Sequence, residues 1–255
     1  MELVFVNGVE LAYERIGAGG TPLVLVHGYP LDHTIWKDVV ALLAADFDLI
    51  LPDLRGFGLS EPVQSQFTMK DMAADIVGII DHLGLEKVSI AGHSMGGYIS
   101  LAFTRNWPER VIGLGLVASQ ARADTSERKW SRYSAAEEIM ATGVEAVARD
   151  MAPRLSPVEE VRAFVRDLIL RQVPVGMAGA LRAMAERQDA TAYLRGTGFP
   201  LVLVHGKADD LIPVDMAREI LAVRPEAQLV ELPGVGHMPM MEAPQAVAAA
   251  LRSLQ

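Results

Sequence analysis

The stretch GHSMGG at residues 92–97 places one serine, Ser94, inside a glycine-rich turn and fits the pattern G-x-S-x-G. Residues Lys87–Gly92 before it are mostly apolar, which predicts a strand. Residues Met95–Asn106 after it show apolar positions at helical spacing, which predicts a helix. Because glycine has no side chain to clash with neighbouring backbone, the chain can turn sharply here. We therefore expect a strand-to-helix turn with the Ser94 hydroxyl exposed at its apex.

Ser94 is a candidate nucleophile, but a serine hydroxyl is a poor nucleophile unless a base takes its proton. The sequence has six histidines. His237 lies in a loop after the last predicted strand, where a strand-turn-helix architecture of this kind places its base. His205 ends a strand, His82 lies late in a helix and His33 lies in a loop, so each has a structural explanation. We therefore assign the base to His237.

The base requires a carboxylate that holds its tautomer and stabilises the imidazolium. Two adjacent aspartates, Asp209 and Asp210, follow a predicted buried strand. Adjacent aspartates in a loop are more often turn or capping residues. However, the chain order Ser94, aspartate, His237 is the order expected around such a serine. We assign the role to Asp209 and keep Asp210 as the alternative.

The composition excludes several classes of function. The chain has 255 residues, which suits one core, with or without an insertion. Its formal net charge of −9 argues against nucleic-acid binding, because phosphate recognition requires patches of lysine and arginine. The absence of cysteine excludes disulfides, thiolate metal sites and a cysteine nucleophile. No stretch reaches the ~18 apolar residues of a membrane span, and the N-terminus does not resemble a signal peptide, so we expect a cytoplasmic protein.

Short apolar runs alternate with helical patterns in the first half of the chain, as in a sheet with crossover helices. Strands are predicted at Leu3–Val6, Val9–Ile16, Leu23–His27, Phe47–Leu51, Lys87–Gly92, Arg110–Ala118, Pro200–His205 and Gln228–Leu232. Helices are predicted at Thr34–Ala45, Thr68–Leu83, Met95–Asn106, Val214–Val223 and Pro244–Leu254. We expect Asn7-Gly8 to join the first two strands as a hairpin, and Thr68 to cap the second helix together with Asp71.

Residues 120–198 have a different pattern, in which strands vanish and helical segments are separated by glycine and proline. We interpret this region as a helical insertion, too small and too interrupted to be an independent domain. The expected organisation is a core of residues 1–119 and 199–255, with residues 120–198 forming a cap, or lid, over the site.

These features resemble the α/β-hydrolase fold superfamily over essentially the whole chain. Besides Ser94 and Asp209, the resemblance lies in His27-Gly28-Tyr29-Pro30, in Asp53-Leu54-Arg55-Gly56-Phe57-Gly58-Leu59-Ser60, and in Gly236-His237 followed by Glu242-Ala243-Pro244. It implies an α/β fold with a mostly parallel eight-stranded sheet, flanking helices and a helical cap. It also implies that backbone N–H groups of Tyr29 and Met95 form an oxyanion hole, and that no metal or organic cofactor is required.

Among the members with a serine nucleophile, the chain resembles small bacterial carboxylesterases and arylesterases, which implies a small-molecule ester substrate. Some of these enzymes also act as cofactor-free perhydrolases or haloperoxidases. The Ser-Met-Gly-Gly run is shared with the 3-oxoadipate enol-lactonase group, so a lactone is an alternative substrate. Epoxide hydrolases and haloalkane dehalogenases of this fold use aspartate where Ser94 stands, and C–C bond hydrolases usually have asparagine where His93 stands. A small-molecule receptor or signalling accessory that retains the triad is an alternative of another class.

Several prominent side chains are expected to do no chemistry. Asp53 and Arg55 are interpreted as anchors of the loop behind the site, and Glu242 as a favourable charge near the start of the last helix. The arginines of residues 120–198 could bind a substrate carboxylate, but most are expected to lie exposed on helix faces.

Overall fold

The computed structural model describes residues 1–17 and 19–255, and its centre is one eight-stranded sheet. The strands lie in the order β1-β2-β4-β3-β5-β6-β7-β8. Strand β2 is antiparallel to both of its neighbours, whereas the pairs from β4 to β8 are all parallel. The strands are β1 Glu2–Val6, β2 Val9–Ile16, β3 Thr21–Val26, β4 Phe47–Pro52, β5 Val88–His93, β6 Val111–Val117, β7 Leu201–Gly206 and β8 Gln228–Leu232. The expected mostly parallel eight-stranded sheet is confirmed.

Helices cover both faces of this sheet and fill the long connection between β6 and β7. They are α1 Lys37–Leu43, α2 Met69–His82, α3 Met95–Asn106, α4 Ser126–Thr142, α5 Glu145–Leu155, α6 Glu159–Leu170, α7 Pro174–Ala185, α8 Thr191–Arg195, α9 Asp215–Val223, α10 Pro239–Glu242 and α11 Pro244–Leu251. Three further segments, His33–Trp36, Pro108–Arg110 and Arg252–Leu254, are short 3₁₀ helices. No helix in the described part of the chain is both long and apolar enough to cross a membrane.

Two predicted helices begin or end as 3₁₀ turns. The segment predicted as Thr34–Ala45 begins as a 3₁₀ turn, capped by the Asp32 side chain, before α1 continues it. The segment predicted as Pro244–Leu254 ends as a 3₁₀ turn. By contrast, the capping box of Thr68 and Asp71 at the start of α2 is confirmed.

The core positions the chemistry at one edge of the sheet. Every residue of β4, β5 and β7 is buried, because helices cover both faces of these strands. The carboxyl ends of neighbouring parallel strands meet at the same edge, so the loops that follow β3, β5 and β7 converge there.

Helices α4 to α8 lie in the segment between β6 and β7, with α4 packed on α7 and α5 on α6. Helix α7 makes close backbone contact with the core loop after β4. A Cβ atom added at Gly176 would lie 2.0 Å from the carbonyl oxygen of Gly56. A side chain at either position would clash with the backbone of the other, so this approach requires glycine at both.

Candidate active site

Ser94 lies at a sharp turn between β5 and α3. Its backbone has φ 50° and ψ −111°, a region that side-chain-bearing residues rarely adopt. A Cβ at Gly92 would lie 2.2 Å from Gly96, and one at Gly96 would lie 2.3 Å from the Val26 carbonyl oxygen. The two glycines therefore permit the turn to pack against the neighbouring strand, and Ser94 remains half-buried.

Asp209 and His237 are brought together from loops 28 residues apart in the chain. His237 Nδ1 lies 2.7 Å from Asp209 Oδ2. The other carboxylate oxygen accepts the backbone N–H groups of Leu211 (2.9 Å) and Ile212 (3.0 Å). Both side chains are buried, so this pair is held in a fixed geometry with little access to water.

The carboxylate of Asp209 is ionised in this setting. Burial alone would raise its pKa, but the electrostatic interaction with His237 and hydrogen bonding from His205 and His237 act in the opposite direction. The backbone N–H of Ile212 adds to them, and together they hold the pKa of Asp209 well below its ordinary value. Asp210, the alternative, is exposed.

His93 connects the serine turn to the His237 loop. Its Nε2 lies 2.8 Å from the His237 carbonyl oxygen, and the two rings are 4.9 Å apart between centroids. Burial, followed by the electrostatic interaction with the neighbouring His237, lowers the pKa of His93 well below its ordinary value. His93 is therefore a neutral imidazole that donates from Nε2, and it fixes the position of His237 relative to the residue beside Ser94. Among the described residues no hydrogen bond joins the Ser94 hydroxyl to the His237 ring.

The backbone around His237 is fixed by two further contacts. The Glu242 carboxylate accepts the N–H groups of Gly236 (2.7 Å) and Met238 (3.2 Å), on either side of His237. The N–H of His237 itself donates to the carbonyl of Leu155 at the end of α5 (2.9 Å). Glu242 lies two residues before the last helix, near its start as expected, but it also ends α10, and its carboxylate binds the preceding loop. Sequence reasoning missed α10, a single four-residue turn that begins at a proline.

The loop that contains Tyr29 packs beside the serine turn. A Cβ at Gly28 would lie 2.3 Å from His93 Nδ1, so the loop backbone rests directly on that ring. His27 Nε2 accepts the Leu54 N–H (3.0 Å), so this side chain anchors the loop after β4. Tyr29 and Met95 are both buried in this region.

Asp53 and Arg55 anchor the neighbouring loop, as expected. Asp53 accepts the backbone N–H of His33 (3.0 Å) and that of Leu59 (2.9 Å). Arg55 forms two 2.6 Å hydrogen bonds to the buried carboxylate of Asp75. Both side chains therefore hold the loop, and we assign neither of them a role in the chemistry.

In the described part of the chain, one cluster has ligand atoms near enough to one another to hold a metal ion, within 4.8 Å. It consists of Asp32, His33 and Asp53. These atoms already have protein partners. His33 Nδ1 lies 2.7 Å from Asp53 Oδ1, and Asp32 Oδ1 accepts the N–H of Thr34 (3.0 Å). The cluster is explained by loop anchoring and helix capping.

A cavity of about 710 Å³ extends from Tyr29 and Leu211 into the space between α4 and α5. Ser94 and His237 are not among the residues that line it, so it adjoins the serine turn rather than containing it. A second cavity, of about 500 Å³, lies on the far side of Tyr98, between α3 and the end of α7.

Comparison with known proteins gives relatives along almost the whole chain. The chain is 33% identical over 243 residues to the dihydrolipoyllysine-residue acetyltransferase component of the acetoin cleaving system of Pseudomonas putida, covering 92% of this chain and 63% of that protein. It is 37% identical over 124 residues to a soluble epoxide hydrolase of Corynebacterium sp., covering 48% of this chain and 43% of that enzyme. The chain thus spans less than two thirds of either relative.

Two solved structures match over nearly their full length. A thermophilic esterase from Thermogutta terrifontis, solved with malate bound, superposes with a TM-score of 0.94 at 38% identity and covers 99% of this chain and 97% of its own. An enol-lactonase from Burkholderia xenovorans superposes with a TM-score of 0.91 at 25% identity and covers 99% of each chain. The model of the alpha/beta hydrolase family matches residues 23–250. With its sheet order and its serine turn between β5 and α3, the chain belongs to the alpha/beta hydrolase family.

Proposed function

We propose that the protein is a serine hydrolase that cleaves carboxylic esters of small molecules through an acyl-enzyme, with Ser94 as nucleophile, His237 as base and Asp209 as orienter. The observation that carries the proposal is the buried His237–Asp209 pair, held by His93 beside the turn that presents Ser94. An ionised carboxylate behind a histidine fixes its tautomer and stabilises the imidazolium formed during proton transfer.

In the proposed reaction, His237 Nε2 takes the proton of the Ser94 hydroxyl while the oxygen attacks the ester carbonyl. The tetrahedral intermediate collapses, the C–O bond to the alcohol breaks, and the alcohol leaves with the proton from His237. Water then gives a proton to His237 and attacks the acyl-enzyme. Collapse of the second intermediate releases the acid and returns the proton to Ser94. Hydrogen bonds between nucleophile and base are often long in free enzymes, so alignment of Ser94 with His237 is expected on substrate binding.

The oxyanion of both intermediates would be held by the backbone N–H groups of Tyr29 and Met95. Met95 follows the nucleophile at the start of α3, and the Tyr29 loop packs on the His93 ring. Donors of this kind supply ~3 kcal/mol each of transition-state stabilisation. Neither backbone donor requires a particular side chain, which leaves the Tyr29 side chain free to shape the adjoining cavity.

Residues 120–198 would act as a lid that covers the site and selects the substrate. In support, the 710 Å³ cavity lies between Tyr29 of the core and helices α4 and α5 of this segment. The Leu155 carbonyl of α5 also binds the backbone of His237. A lid with such a contact would affect both substrate entry and the position of the base.

The similarity to the esterase of T. terrifontis favours an ester, and the similarity to the enol-lactonase of B. xenovorans supports lactone hydrolysis as the second candidate. A lactone is a cyclic ester, so the same three side chains would open it. Ser94 argues against epoxide hydrolysis, because epoxide hydrolases of this fold use aspartate at that position. We therefore take the partial match to one as support for the fold alone.

The proposal is tested by turnover of p-nitrophenyl acetate and butyrate. We expect Ser94→Ala to lose nearly all turnover and all labelling by a fluorophosphonate probe, while its circular dichroism is unchanged. Ser253→Ala, which removes a hydroxyl at the far end of the chain, is the matched control and should retain full activity. Labelling at a serine other than Ser94, or binding of esters without turnover by the wild type, would contradict the proposal, the latter in favour of a receptor. A comparison of kcat/KM on these esters with that on an enol-lactone separates esterase from lactonase.

A further inference from the structure

The cavity between α4 and α5 is bordered by an unbalanced cluster of charges. The buried carboxylate of Asp124 faces three guanidinium groups, those of Arg132 at 2.5 Å, Arg187 at 2.8 Å and Arg128 at 3.7 Å. Arg187 lines the second cavity, so the part of the cluster that faces this cavity, Arg128 and Arg132 against Asp124, has one cation in excess. Arg128 and Arg132 both line the cavity.

Tyr29, whose hydroxyl is buried, lines the same cavity. The residue is 7% exposed. Within the described residues, the Tyr29 hydroxyl has no hydrogen-bond partner. Burial raises the pKa of Tyr29, with Arg132 acting weakly in the opposite direction, so the hydroxyl keeps its proton and can donate. A buried donor without an acceptor is costly, which suggests that a ligand supplies the acceptor.

The acidic side chains that line the cavity, Glu127, Glu138 and Asp150, equal its three lining arginines in number, so the positive charge is local to Arg128 and Arg132 around Asp124. Asp150 is paired with Arg149 outside the cavity (2.7 Å). Glu127 and Glu138 lie on exposed parts of α4.

We propose that this cavity binds a carboxylate group of the substrate, through Arg132, Arg128 and the Tyr29 hydroxyl. The inference rests on the proposed ester hydrolysis and names its substrate class, esters that carry a second, free carboxylate. The geometry fits this class because Tyr29 could bind both ends of such a substrate. The backbone N–H of Tyr29 would bind the scissile carbonyl, and its hydroxyl would bind the free carboxylate, one tyrosine side chain away. A half-ester of a short dicarboxylic acid spans such a distance.

The test compares two esters that differ only in this charge, mono-p-nitrophenyl glutarate and p-nitrophenyl pentanoate. We expect the wild-type kcat/KM to favour the glutarate ester by at least about tenfold, since a hydrogen-bonded charge contributes that much to binding. The preference should fall to about one in Arg132→Gln and decrease in Arg128→Gln. Asp124 retains its ion pair with Arg187 in both variants. Because Arg128 is also half exposed, at least Arg128→Gln should fold. Arg162→Gln, which removes an equal charge from α6, should leave the preference unchanged.

A binding measurement separates failure of this inference from failure of the proposed chemistry. Binding of glutarate to Ser94→Ala, measured by calorimetry, does not require turnover. We expect binding that is lost with the additional change Arg132→Gln and weakened by Tyr29→Phe. Equal preference for the two esters, together with no binding of glutarate, would overturn the inference even if Ser94 proves to be the nucleophile. Glutarate binding that depends on Arg132 would support it even if another residue proves to be the nucleophile.

Discussion

Asp209 shows how one residue can affect both stability and activity. We expect Asp209→Asn to lower kcat on p-nitrophenyl butyrate by about 10⁴-fold, because an amide cannot stabilise the imidazolium and favours the wrong tautomer of His237. Asp210→Asn is the matched control and should retain its activity, because Asp210 is exposed and adjacent in sequence. A larger loss in Asp210→Asn than in Asp209→Asn would reverse the assignment.

The pH dependence of stability should also report the ionised state of Asp209. The pKa of Asp209 is lowered in the folded protein, so its ionisation stabilises the fold fully above the pKa of the unfolded state, roughly 3.9. This stabilisation is lost as the pH falls from there through the folded-state pKa. Urea unfolding should therefore show a gap in free energy between wild type and Asp209→Asn that is larger at pH 7 than at pH 3. A gap independent of pH would contradict the ionised state of Asp209.

The sequence predicted the residue types at this site but could not separate the two aspartates by local pattern. Both follow β7 and both suit a turn. What separates them is a contact with His237, 28 residues further along the chain, together with two backbone N–H groups that only the folded loop presents. His93 was likewise visible only as the variable position of a motif, since its contact with the His237 carbonyl joins residues 144 positions apart.

The loop before α10 is the element on which the position of His237 depends. Glu242→Ala would leave the N–H groups of Gly236 and Met238 without their acceptor, which should cost about 1–3 kcal/mol of stability and lower kcat. Glu242→Gln keeps one acceptor oxygen, so it should fall between wild type and Glu242→Ala in both measurements. Glu86→Ala, a change of the same size at an exposed position, is the control. An unchanged kcat in Glu242→Ala would show that this carboxylate serves stability alone.

The predicted helices and strands were correct where a pattern repeats over many residues. They were wrong where the structure consists of a single turn. The strands β2 and β8 and the helix α3 have the predicted boundaries, because alternation or helical spacing continues along their length. Helix α10 was missed, and the start of the segment at Thr34 is a 3₁₀ turn, since one turn shows no period. Thr68 and Asp71 could be predicted as a cap because that signal lies within four residues.

At the scale of the whole molecule, the helices between β6 and β7 depend on how they pack against the core. The composition of residues 120–198 predicted helices, yet no local pattern indicates that α7 meets the loop after β4 through backbone alone. The Leu155 carbonyl is bound to His237 in the same way, by a contact that depends on the position of α5 and not on its side chain. Every residue has a backbone carbonyl, so the sequence does not indicate which carbonyl a distant segment will bind. The packing of the segments decides it.

The contact between Gly176 and Gly56 allows this packing to be tested directly. In Gly176→Ala the added methyl group would lie 2.0 Å from the Gly56 carbonyl oxygen, so α7 must shift away from the core. We expect a loss of about 1–3 kcal/mol of stability, seen as a lower Tm, and a higher KM for p-nitrophenyl butyrate, because the shift alters the cavity beneath the helices. Gly198→Ala adds a methyl group with no atom within 4 Å and should change neither quantity. If Gly176→Ala lowered Tm while KM stayed at the wild-type value, α7 would stabilise the protein without shaping the substrate site, and residues 120–198 could not act as a lid through this contact.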